Sequence, residues 1–287
     1  YGNSNNVVFS GNVCHNTVAG LQHFYAKPAQ IAAGYDVGIR NTNILIDGNS
    51  FITSATVTGF ERLELGSGGK ITVSNNQLVN TSIYAANLSL TEVVIKDNTI
   101  DFNASGVAQQ PIQRSIGYVT GDASTTPFRT VISGNVITHS NPSTTAYVIL
   151  VQIGDPVNGS QDFDVYLDVL DNICNDDPNK FALYIQTSGT ITGTKYLYDS
   201  VRNNRFGGSI QYNTAGNRTL VHTVVDNYAK TGHPYTTTYT LAGALNTWDI
   251  SNINTTGLGA ILYLSLADGD YSGQQKVIYM TAVGSFS

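Results

Sequence analysis

The stretch Val93-Val-Ile-Lys-Asp-Asn98 reads as a short β-strand ending in a tight turn, and a near copy, Thr130-Val-Ile-Ser-Gly-Asn135, follows 37 residues on. Six further segments align with it: Val7-Val-Phe-Ser-Gly-Asn12, Ile44-Leu-Ile-Asp-Gly-Asn49, Ile71-Thr-Val-Ser-Asn-Asn76, Leu167-Asp-Val-Leu-Asp-Asn172, Asp199-Ser-Val-Arg-Asn-Asn204 and His222-Thr-Val-Val-Asp-Asn227. Before each terminal asparagine stands Gly, Asn or Asp, the residues that tolerate left-handed backbone geometry. Three before it stands Phe9, Ile46, Val73, Ile95, Ile132, Val169, Val201 or Val224. Two after it stands Cys14, Phe51, Leu78, Ile100, Ile137, Cys174, Phe206 or Ala229. A strand alternating inward and outward, a two-residue bend and a second strand returning its second residue to the core explain all three columns.

The anchors lie 37, 27, 22, 37, 37, 32 and 23 residues apart, so each repeat fits one coil of a solenoid with connections of variable length. Stacked at the strand spacing of about 4.8 Å, the asparagines would form a ladder of amide hydrogen bonds. A third strand is legible in most coils: Leu21–Tyr25, Arg62–Leu65, Ile83–Leu88, Ser115–Val119, Tyr147–Ile153, Phe181–Gln186 and Ser209–Tyr212. The fold class is therefore all-β, a right-handed parallel β-helix of about eight or more coils. An antiparallel sandwich with Asn-Gly hairpins would pair strands around each turn and would not repeat one column along the chain. The β-helix is expected over 1–232, followed by a C-terminal antiparallel β capping and trimerisation domain over 233–287, which carries Trp248 and the apolar strands Ala260–Leu266 and Lys276–Thr281.

Composition narrows the function. The chain has 287 residues, and with 41% hydrophobic and only 12% charged residues it is not a disordered polymer. A net charge of -6 without a Lys/Arg cluster makes nucleic acid a poor partner. No apolar run approaches a bilayer span, so membrane insertion is not expected. The start at Tyr1-Gly-Asn-Ser reads as a piece of a longer chain. Cys14 and Cys174 point inward about five rungs apart, roughly 24 Å, too far to bridge. The five histidines show no metal-ligand spacing, and Gly66-Ser-Gly-Gly69 lacks the Lys-Ser/Thr of a phosphate loop, so no metal and no cofactor is expected.

Asparagine-anchored coils followed by a β-rich cap carrying Asp268-Gly and Gly273-Gln-Gln-Lys276 resemble bacteriophage tailspike and tail-appendage receptor-binding proteins. The resemblance implies a homotrimer on the virion tail that binds, and often cuts, a host bacterium's surface polysaccharide. Some proteins of this group are also trimmed after a serine by a C-terminal chaperone domain, and this chain ends at Ser287. Trimerisation has independent support, because the outward position four before the anchor holds Val8, Leu45, Val94 and Val131, an exposed apolar stripe of the kind that marks an interface.

Glycosidic cleavage commonly needs two carboxylates about 5–5.5 Å or about 6.5–9.5 Å apart. Asp47, Asp97, Asp171 and Asp226 are accounted for by the turns. Glu92 shares a column with Lys70 and Arg129, and a charge ladder accounts for it. In Phe60-Glu-Arg-Leu-Glu-Leu65 the leucines face in, which turns Arg62 and Glu64 outward on the third sheet, either as an exposed ion pair or as a functional pair. Asp155 ends another strand of that sheet, while Asp162, Asp164 and Asp168 alternate with Tyr166 on one face. These acids are a candidate catalytic group or a solvated, cation-binding edge. Asp199 and His222 share an inward column in consecutive coils and read as a buried structural pair. Tyr25, Tyr84, Tyr118, Tyr147, Tyr184 and Tyr212 fall on third-sheet strands, where rings can stack on sugars or simply serve the strand.

Two functions are compatible with these residues. One is a depolymerase, hydrolase or lyase, with Glu64, Asp155, Asp162 and Asp164 as candidate acids and Arg62, Tyr84, Tyr118, Tyr147, Tyr184 and Tyr212 as substrate contacts. The other is a non-catalytic glycan-binding or stalk module.

Overall fold

The computed structural model describes residues 6–26, 30–31, 34–35, 43–54, 61–66, 69–85, 91–103, 110–117, 127–139, 147–154, 163–176, 181–187, 194–214, 218–225 and 227–229, and the strands at 237–239, 243–245, 250–253, 264–266 and 277–280. None of these residues is helical, and the strands form three main parallel sheets of eight, eight and ten strands. The chain visits the sheets in turn, as in Asn43–Asp47, Ser50–Thr53 and Arg62–Leu65, then stacks the next coil one strand further along each. This is a right-handed parallel β-helix.

The turn between first and second sheets is set by single residues. Gly11, Gly48, Asn75, Asp97, Gly134, Asp171 and Asn203 all adopt left-handed φ values between 55° and 68°, the region where Gly, Asn and Asp carry the least steric penalty. Asp226, in the eighth copy, lies outside the described residues. Immediately after this bend the anchor asparagine turns inward. Asn98 shows the pattern: its backbone N–H and Nδ2 both donate to Asn135 Oδ1, at 3.1 and 3.0 Å, and Nδ2 also donates to the Val73 carbonyl at 3.0 Å. Its own Oδ1 accepts from the backbone N–H and Nδ2 of Asn76 at 3.0 and 2.9 Å. The same bonds run unbroken from Asn12 to Asn227, so the ladder pairs its buried amides with neutral groups alone.

The predicted inward columns form that core. Ile46, Val73, Ile95, Ile132, Val169 and Val201 are fully buried, as are Phe51, Leu78, Ile100, Ile137, Cys174 and Phe206. Each such side chain contributes about 1.5–3 kcal/mol by leaving water. Both cysteines are free, with Cys14 partly open at the N-terminal rung.

Two expectations change. The third-sheet strand of the fourth coil runs Ile112–Ile116, earlier than the expected Ser115–Val119. Ile112 and Ile116 then both face in, which carries Arg114, of the same parity, into the solenoid. Its cross-strand neighbour is the small Ala85, which leaves room, and its guanidinium donates to Thr130 Oγ1 and to the Ala85 and Ser115 carbonyls. Burial lowers its pKa to about 9. Further on, the expected antiparallel C-terminal pairing gives way to parallel pairing. Thr237–Tyr239, Ile250–Ile253 and Val277–Met280 extend the third sheet in parallel, and Gly243–Leu245 pairs in parallel with Leu264–Leu266. The third sheet continues past the last asparagine because its edge strand still offers unpaired backbone groups. The Asp268-Gly and Gly273-Gln-Gln-Lys276 motifs lie outside the described residues.

Candidate functional site on the third sheet

The corner between first and second sheets is a two-residue turn in each coil, whereas the connections into and out of the third sheet vary, from two residues between Val79 and Ser82 to the longer spans Phe102 to Ile112 and Ile116 to Phe128. The third sheet is thus the face the chain flanks with variable segments, the usual setting for a binding surface.

Register builds one outward row on it: Tyr25, Glu64, Tyr84, Gln113, Leu150, Tyr184 and Gln211, each the cross-strand partner of the next. Glu64 is therefore flanked by tyrosines on both neighbouring rungs. Arg62, two residues back on the same strand and hence on the same face, donates through Nε and Nη2 to Glu64 Oε2 at 3.1 and 2.8 Å. The same guanidinium lies 4.3 Å from the centre of the Tyr84 ring, a cation–π distance. Gln22 Nε2 donates to Glu64 Oε2 at 2.5 Å. The expected outward Arg62–Glu64 pair is present, but Glu64 is only 3% exposed because Gln22, Arg62 and the adjacent rungs cover it.

Further along the row Tyr147 stacks on Tyr184, with centroids 4.3 Å apart and planes 6° from parallel, and Phe181 lies 5.7 Å from Tyr147. Asn213 Nδ2 donates to the Tyr184 hydroxyl at 2.9 Å. Burial, followed by the adjacent Tyr184, raises the Tyr147 pKa. Tyr212, expected outward, is a correction. It follows Ile210 inward at 1% exposure and donates its hydroxyl to buried Asp199 Oδ2 at 2.5 Å, which places it out of reach of any external ligand. Tyr118, Asp155 and Asp162 lie outside the described residues.

Asp164 does not join Glu64. It precedes the first-sheet strand Val165–Leu170 and accepts the Tyr196 backbone N–H at 2.9 Å. The coil it belongs to is four third-sheet strands beyond Glu64, about 19 Å along the stack, more than the about 6.5–9.5 Å that even an inverting carboxylate pair spans. Its neighbours serve a first-sheet ladder: Lys70, Glu92, Arg129, Tyr166 and Tyr198 are successive cross-strand partners. Lys70 Nζ lies 2.6 Å from Glu92 Oε1, Arg129 sits 4.9 Å over the Tyr166 ring, and Tyr166 stacks on Tyr198 at 4.9 Å. Burial raises the pKa of Asp168 on this sheet, while Arg202 and Arg129 oppose the shift. Asp199 and His222 are cross-strand partners as expected, but the His222 side chain lies outside the described residues.

Sequence reading passed over Glu61 and His23. Glu61 is fully buried, and its Oε1 accepts the Gly20 backbone N–H at 2.6 Å. The signal was available, since Glu61 has the parity of inward Leu63 and Leu65. His23 pairs with Thr53 Oγ1 at 2.8 Å and meets the Phe51 ring edge-on at 5.7 Å. Burial lowers its pKa, against the pull of Glu61. The two glutamates and His23 thus hold the segment before Phe24 against the sheet. Among the described residues no group of three or more His, Cys, Asp or Glu side chains gathers to hold a metal ion. No family model matches the chain, and no curated protein or solved structure matches it with significance.

Proposed function

We propose that this chain is a receptor-binding β-helix of a bacteriophage tail appendage that holds bacterial surface polysaccharide along its third sheet, assembling as a homotrimer through its first sheet. The carrying observation is the row Tyr25–Glu64–Tyr84, with Arg62 laid over Tyr84 and bonded to Glu64. Flat aromatic faces stack on the C–H faces of sugar rings, while a carboxylate, a guanidinium and a carboxamide beside them match the hydroxyls. The apolar stripe Val8–Leu45–Thr72–Val94–Val131 runs down one column of the first sheet, with Val8 and Leu45 65% and 36% exposed. It faces away from the third sheet, so assembly and glycan binding use different surfaces.

The placement of Glu64 between two tyrosines also favours a second reading, in which it acts on the bound glycan as a depolymerase residue. Incubating the chain with capsule or lipopolysaccharide preparations separates the two. For the binder, intact glycan is retained on immobilised protein, and Tyr84→Ala weakens retention about 2–10-fold, the worth of one aromatic contact. New reducing ends, lost in Glu64→Gln, would establish the depolymerase. Absence of both retention and cleavage across the preparations rejects glycan recognition.

A further inference from the structure

We infer that the glycan recognised by the third sheet is an uncharged polysaccharide, built of hexoses or N-acetylhexosamines without uronate, sialate or phosphate, lying along the solenoid axis. This rests on the glycan-binding reading above. Among the described outward side chains of the third sheet, formal charge is confined to Arg62 and Glu64, and these neutralise each other at 2.8 Å. Every other described outward position in the two long columns is aromatic, carboxamide, hydroxyl or aliphatic. The central column continues Gln113, Leu150, Tyr184 and Gln211, and the column beside it runs Ser115, Gln152, Gln186 and Asn213.

Against the described side chains of this face an anionic polymer would lose hydration without gaining a compensating cation, since the guanidinium of Arg62 is already shared between Glu64 and the Tyr84 ring. Carboxamides, in contrast, both donate and accept, as sugar hydroxyls and N-acetyl groups do. The Gln side chains already bond along the stack, Gln113 Nε2 donating to Gln152 Oε1 at 3.1 Å and Ser115 donating to the same oxygen at 3.3 Å. That gives a polar track parallel to the axis. The aromatic positions lie at its two ends: Tyr84 and Tyr184, the latter 8% exposed with one ring face against Tyr147, are three strands apart, about 14 Å, so one oligosaccharide that touches the open edge of Tyr184 and Tyr84 must run lengthwise.

The test measures binding of the full chain to neutral and to uronate-bearing polysaccharides at low and high salt, with Tyr84→Ala and Tyr184→Ala alongside. The inference expects retention on a neutral polymer, a change of less than about twofold between 50 and 500 mM salt because no counterion is released, and weakening by each tyrosine variant. A uronate-preferring, salt-sensitive interaction would overturn it while leaving glycan binding intact. So would a neutral ligand whose affinity changes with only one of the two tyrosines, since that ligand does not run lengthwise. Failure to retain any polysaccharide would overturn the underlying glycan-binding reading as well.

Discussion

Asn98 shows how much one side chain can carry in this fold. Its amide bonds to the coils on both sides at once, and all of these bonds are buried. Asn98→Ala would leave carbonyl and amide groups of both neighbouring rungs without partners, at about 1–3 kcal/mol for each group left unsatisfied. The expected outcome is a loss of about 2–5 kcal/mol, read as a lower urea midpoint with an unchanged slope. The glycine before an anchor offers a finer comparison. Gly48 and Gly134 share the left-handed conformation, at φ 65° and 64°, but an added Cβ at Gly48 meets open space, whereas at Gly134 it meets the Asp97 carboxylate. Gly48→Ala should cost about 1–2 kcal/mol and Gly134→Ala measurably more in the same unfolding assay. An equal loss at both sites would show that Asp97 simply rotates away. At this scale the sequence was legible. A left-handed residue followed by a buried amide is local chemistry, and seven of the eight predicted turns are described with that geometry. Arg114 and Glu61 were less legible, because they obey strand parity against the usual preference of charges for solvent.

The elements are rungs, and their energetics are those of columns. In the first sheet the Lys70–Glu92–Arg129 column was readable from sequence, because the same offset from the anchor recurs in each coil. Lys70→Glu places like charges on adjacent rungs. With both groups about half exposed, it should destabilise by only about 0.5–1 kcal/mol, and the loss should shrink at high salt. A salt-independent loss of several kcal/mol would mean that Lys70 holds something other than Glu92. Columns on the third sheet were harder to read. The expected strands there differ from the observed ones by up to three residues at their starts, since no asparagine fixes their offset. Tyr212 went to the wrong face although its strand begins at Ser209 as expected: the pairing shifts between Phe181 and Leu183, and the inward neighbours Ile185 and Ile210 decide its direction.

On the scale of the whole molecule, the homotrimer we propose makes a direct prediction. Light scattering of the intact chain at micromolar concentration should give three times the chain mass, and Val94→Glu or Val131→Asp on the first-sheet stripe should shift it toward monomer while circular dichroism stays β-rich. A monomeric parent chain would remove the stripe as an interface. The sequence by itself determined the fold class, the inward columns and the outward stripe, because each follows from residues within six positions of an anchor asparagine. Only the tertiary structure decided which outward residues meet. Tyr25 and Tyr84 lie 39 and 20 residues from Glu64 in the chain and become its neighbours through strand register alone. Asp164 belongs to a different sheet for the same reason. The connections into the third sheet vary in length from coil to coil, so sequence distance carries no information across them. Cross-strand hydrogen bonding, which brings each rung into register with the next, does.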